Sequence, residues 1–117
     1  MADETFRNFI LDQLGELGQV DCRRMFGGYG LYRDGVFFGI LHKDWLYFKT
    51  DATSQADYLA RGMKPFSPSA KQTLKHYYEV PADVVEDADE MGVWARKAVQ
   101  AALNGPPRKT GRKPNEP

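Results

Sequence analysis

The sequence predicts an α+β domain, a two-layer sandwich with an antiparallel sheet of about five strands and helices. Three observations lead there. Apolar residues recur at helical spacing near both ends, β-rich runs follow one another at hairpin distance in between, and Asp34-Gly35 separates two of those runs. Consecutive strands joined by tight turns pair antiparallel, and helices gathered on one side can cover only one face of such a sheet.

In residues 3–17, Phe6, Phe9, Ile10, Leu14 and Leu17 mark one helical face. Asp3 is placed to cap the first turn, and Gly18 suits the left-handed position after the end. Residues 20–26 lack that period and read as a strand entering the glycine-rich bend or bulge Gly27-Gly28-Tyr29-Gly30, and a second strand follows over 29–33. Beyond Asp34-Gly35 the apolar run 36–41 reads as the next strand, and after Lys43-Asp44 the run 45–48 continues the meander. Thr53 or Ser54 can then cap a short helix ending at Gly62. Pro65, Ser67, Pro68 and Ser69 read as a loop, and residues 73–80 as the last strand. Pro81 opens a helical turn, and Asp87 with Glu90 starts a helix carrying Met91, Trp94, Ala95, Ala98, Val99 and Leu103. The order is helix, three or so strands, helix, one or two strands, helix.

These 117 residues suffice for one core. Residues 1–104 form the expected domain and 105–117 a basic disordered tail without large apolar side chains. Arg108, Lys109, Arg112 and Lys113 against Glu116 give that tail +3, and a formal net charge of zero leaves −3 on the body. Only the tail is therefore suited to a polyanion such as DNA, and four cations imply weak, salt-dependent affinity. The single cysteine, Cys22, cannot form an internal disulfide, and no apolar leader follows Met1, which together suggest a cytoplasmic setting.

Catalytic patterns are scarce. A phosphate loop of the Walker type would need Lys-Ser/Thr after its last glycine, and a dinucleotide fingerprint would open a helix; Leu31-Tyr32-Arg33 continue as strand instead. A weak option remains that Arg23, Arg24, Gly27, Gly28 and Tyr29 contact a partner or an anion, or that a small enzyme binds a nucleotide at the bend. Cys22 shows no motif linking it to His42 or His76, and these three residues have no metal-ligand spacing. Glu86, Asp87, Asp89 and Glu90 suit a helix start better than an acid/base pair. No catalytic residue, cofactor or metal is assigned.

Aromatics are the conspicuous surplus. Tyr29, Tyr32, Phe37, Phe38, Trp45, Tyr47, Phe48, Tyr77 and Tyr78 would occupy both faces of the sheet, and the face without helices would present part of the set. A protein partner or a second copy is favoured over stacked nucleobases, because only Arg33, Lys43, Lys49 and Lys75 interleave with the rings.

The segments RRMFGGYGLY (23–32), FGI (38–40), LYFKTD (46–51), Gly62 with Pro65-Phe66, YYEVP (77–81) and WAR (94–96) together resemble the TfoX N-terminal domain family. The resemblance covers most of residues 6–103. It implies a helix, three strands, helix, two strands, helix arrangement (α-β-β-β-α-β-β-α), like the secretion-chaperone fold class, a bacterial source and a non-enzymatic regulatory role. Family members include the first half of a competence regulator that acts with a cyclic-AMP-responsive activator, so the resemblance suggests transcription co-regulation through protein contacts.

Overall fold

The computed structural model of the chain describes residues 2–25, 27–69 and 71–104, the side chains of 2 and 3 excepted. The expected Asp3 cap, Phe26 and the basic tail with Arg108, Lys109, Arg112 and Lys113 lie outside that description.

Six strands make one open antiparallel sheet: β1 (Asp21–Met25), β2 (Gly28–Arg33), β3 (Val36–His42), β4 (Trp45–Lys49), β5 (Pro65–Ser69) and β6 (Gln72–Glu79), in the spatial order β1-β2-β3-β4-β6-β5. Two-residue turns close the β2–β3 and β3–β4 hairpins. All four central residues have positive φ, Asp34 at 53°, Gly35 at 81°, Lys43 at 52° and Asp44 at 65°, the backbone whose twist matches that of the flanking strands.

Four helices complete the fold: α1 (Ala2–Gln13), α2 (Ala52–Ala60), α3 (Ala82–Val85) and α4 (Ala88–Leu103). One apolar cluster joins Ile10 and Leu14 of α1, Tyr58 of α2, Val84 of α3 and Met91, Ala95 and Ala98 of α4 to Tyr29, Leu31, Phe38, Leu41, Leu46, Phe48, Tyr78 and Val80 of the sheet. All four helices thus contribute to one core, on one face. Ion pairs lace the helical layer: Arg61 meets Asp83 at 2.6 Å, Lys97 meets Asp57 at 3.4 Å, and Arg96 meets Glu16. Gly92 belongs to the last contact, because a Cβ there would collide with the Glu16 carboxylate.

Several expectations need correction. The first helix stops at Gln13 and tightens into a 3-10 turn over Gly15–Leu17, because Gly15 interrupts a helix that only a short turn can then extend. Asp51, not Thr53 or Ser54, caps α2. Its carboxylate accepts the Ser54 N–H at 2.9 Å while the Ser54 hydroxyl receives the Asp51 N–H at 3.0 Å. These hydrogen bonds hold the Asp51 carboxyl below its ordinary pKa despite some desolvation.

Residues 65–69 form a sixth strand where a loop was expected. Its prolines are tolerated because β5 is an edge strand pairing only with β6, and the pairing is irregular on both sides of Phe66. Four strands precede α2, one for each of the β-rich runs 20–26, 29–33, 36–41 and 45–48, where the resemblance implied three. At the start of α4 the Asp87 carboxylate takes the N–H groups of Asp89 and Glu90, whereas the Glu90 carboxylate accepts the Trp94 indole N–H at 3.2 Å.

Candidate partner-binding face

Strand alternation sends side chains to opposite faces, and one irregularity decides which aromatic goes where. Leu31 pairs with Gly39 but Tyr32 pairs with Phe37, so Phe38 is an extra residue in β3. Counting back from Ile40 by strict alternation would put Phe38 on the helix-free face and Phe37 beneath the helices. The bulge reverses this. Phe38 enters the core at 5.9 Å from Phe48, and Phe37 stands on the other face between Tyr32 at 5.1 Å and Tyr77 at 5.2 Å.

The helix-free face therefore carries a strip of rings across four strands. Tyr32 and Phe37 are inclined by 27°, Phe37 and Tyr77 by 34°. The Arg23 guanidinium, on β1, lies 4.8 Å from the Tyr32 centroid at one end, and Lys49, on β4 between the strands of Phe37 and Tyr77, brings its ammonium to 5.3 Å from the Tyr77 centroid. Beside this strip Tyr47 packs on Phe66 at 4.6 Å, with His42 edge-on to Phe66 at 5.2 Å. Ile40 and Phe66 are 0% and 1% exposed yet lie outside the helix-side cluster, so this face has a small core of its own. Tyr32, Phe37, Tyr47 and Tyr77 remain half-buried.

Glycine makes room for the strip. A Cβ on Gly30 would strike Met25 Sδ and come within 3.1 Å of Phe37 and 3.2 Å of Tyr32. Burial raises the Tyr77 phenol above its ordinary 10.0, with the nearby Tyr32 adding to the shift. Burial also raises Tyr47, assisted by the Glu79 charge. These phenols stay neutral hydrogen-bonding groups at any physiological pH.

The five residues singled out around the glycine bend do not converge. Arg23 joins the strip, whereas its neighbour Arg24 turns to the helix side and lies 5.5 Å from the Tyr29 ring, which Arg7 approaches to 5.2 Å. Tyr29 is 5% exposed in the core. Gly27 is an exposed hairpin residue with φ of 77°. Gly28 is buried, with the Leu41 carbonyl where its Cβ would be. Tyr29 and Gly30 lie between two partner strands, which directs their backbone groups into the ladders rather than toward a ligand.

Trp45, 51% exposed, has no ring contact with the strip and lines, with Phe6, Phe9, Val80 and Val85, an apolar groove of about 250 Å³. Cys22 is half-buried, and burial pushes its thiol pKa up against a smaller lowering influence of Arg7, the opposite of an activated nucleophile. Among the described residues no group of three or more His, Cys, Asp or Glu side chains is arranged to hold a metal ion. No helix among them is long and apolar enough to cross a membrane.

The family model of the TfoX N-terminal domain matches residues 12–102. The chain belongs to the TfoX N-terminal domain family. No curated protein matches the sequence. Membership points to a TfoX-like regulatory or binding module, and within this TfoX N-terminal domain the matched segment includes all six strands and every ring of the strip.

Sequence reasoning named the aromatic set but not its division between faces. Phe66 was missed because Pro65 and Pro68 disguise β5. The fragment Gly62 with Pro65-Phe66, noted for its resemblance, was the available signal.

Proposed function

We propose that this chain is a non-enzymatic regulatory module that acts in the cytoplasm by binding a protein partner through the helix-free face of its sheet. One observation carries the reading. The half-buried strip Tyr32, Phe37 and Tyr77 carries the cations Arg23 and Lys49 against its rings, and every ring in it already has two neighbours. Stacking a nucleobase requires an unoccupied ring face. This strip combines half-buried rings, phenol hydroxyls and two cations, the mixture of large rigid side chains and arginine that concentrates in protein interfaces.

The test uses the intact protein and its Phe37→Ser and Tyr77→Ala variants as baits in extract of the source cell, alongside anisotropy titrations with labelled single-stranded and duplex DNA. A specific protein retained by the wild type and lost by both variants, with no saturable single-strand binding, is the expected result. Saturable single-strand binding that disappears in Tyr77→Ala would replace the protein reading with base stacking. Duplex binding that weakens with salt but ignores both substitutions would assign the DNA contact to the basic tail.

A further inference from the structure

The sheet has two edges, and they differ. At β5, Pro65 and Pro68 remove backbone donors and the pairing with β6 is irregular, features that discourage any further strand from adding. At β1 neither device is present. Asp21, Cys22, Arg23, Arg24 and Met25 pair with β2 in an unbroken register, and among the described residues no strand pairs with the outer side of β1.

β1 also carries charges of both signs at alternating positions on one face. Asp21 and Arg23 both belong to the helix-free face and both are exposed. Among the described residues neither takes part in an ion pair. Asp21 has only a long hydrogen bond from Gln19, at 3.5 Å, and Arg23 its approach to Tyr32.

We infer that β1 pairs antiparallel with β1 of a second copy of this chain, about a two-fold axis perpendicular to the sheet at Cys22. Such an axis keeps the helices of both copies on one side, which restricts the register to those where opposed residues share a face. The charges then select among these. Centring on Asp21, Arg23 or Arg24 opposes a charge to its own copy across the axis. Centring on Cys22 opposes Asp21 to Arg23 of the second copy twice, and sets the stem of Arg24 against Val20. Directly opposed residues in an antiparallel pair interact, favourably for opposite charges and unfavourably for like ones. The dimer joins two six-stranded sheets into one, and the Arg23 ends of the two aromatic strips meet at the axis. This pairing does not depend on the partner-binding reading, since it uses the edge of the sheet rather than its face.

Sedimentation of the full chain over a concentration series tests it, with amide hydrogen exchange read at residues 21–25. The expected result is a monomer–dimer equilibrium in which the β1 amides slow as concentration rises. Asp21→Lys and Arg23→Glu should each weaken dimerisation at least about tenfold, because each turns two attractive contacts into repulsive ones. The double variant Asp21→Lys/Arg23→Glu should return within about threefold of the wild type, since the pairs are restored with their signs exchanged. A chain that stays monomeric throughout, a dimer indifferent to the single reversals, or a double variant as weak as the singles would overturn the inference. Both positions are exposed, and unchanged thermal melts of the variants would confirm that folding is not what the reversals alter.

Discussion

The sheet buries aromatic rings on both faces by different means. On one side Phe38, Phe48 and Tyr78 lie under a helical layer fastened by apolar contact and ion pairs. On the other, Tyr32, Phe37, Tyr47, Tyr77 and Phe66 cover one another, with a strand edge and two cations in place of helices. A helix seals what it covers. Rings that shelter each other still leave their edges to solvent, so the second face can be stable in the free protein and remain available for a partner.

Substitutions placed on the two sides should separate these roles. The largest loss is expected for Phe48→Ala, where a ring with no exposure leaves a cavity beneath α4; chemical denaturation should show a cost of about 3–5 kcal/mol. Gly28→Ala probes the backbone joining the faces. Its new methyl would press on the Leu41 carbonyl, a main-chain atom that cannot swing aside, and a destabilisation of about 1–3 kcal/mol is expected from the same measurement.

Phe37→Ala should cost less, about 1–2 kcal/mol, because the ring is only half-buried, yet it should abolish partner capture. If Phe37→Ala destabilised as strongly as Phe48→Ala without affecting capture, the helix-free face would be a second core and nothing more.

The smallest effect is visible only at alkaline pH. Tyr58 on the helix side and Tyr77 on the free side both have phenols raised above 10.0, chiefly by burial. Each keeps its proton in the fold after the unfolded chain has lost it. The associated stability is complete below about pH 10 and is lost as pH rises toward the folded value. Denaturation midpoints measured from about pH 9 upward should fall less steeply in Tyr58→Phe than in the wild type. Tyr77→Phe should flatten the fall by a smaller amount, in keeping with its shallower burial.

Legibility in the sequence followed how local the determinants were. Asp34-Gly35, Gly62 and Asp87 act within a few residues of chain, and the structure places each at the turn, helix end and cap expected of it. β5 was hidden because proline is read as a loop former until the strand is known to lie at an edge. The site was half visible. Its rings were named, but Arg23 and Arg24 were grouped because they are adjacent in sequence, and adjacency in a strand means opposite faces. Phe37 and Phe38 could not be assigned to faces by counting from the rest of β3, since the bulge at Phe38 shifts the alternation before Gly39.

The extra residue at Phe38 makes β3 a strand in two phases. Downstream of it, even-numbered side chains point away from the helices; upstream, odd-numbered ones do. Phe37 of the strip and Phe38 of the core belong to the upstream phase, Ile40 and Leu41 to the downstream one, so the number of residues in β3 is as constrained as their identity. Removing a single residue there would not merely shorten the strand. It would exchange inside for outside at its beginning, withdrawing Phe38 from Phe48 and Phe37 from Tyr32 in one step.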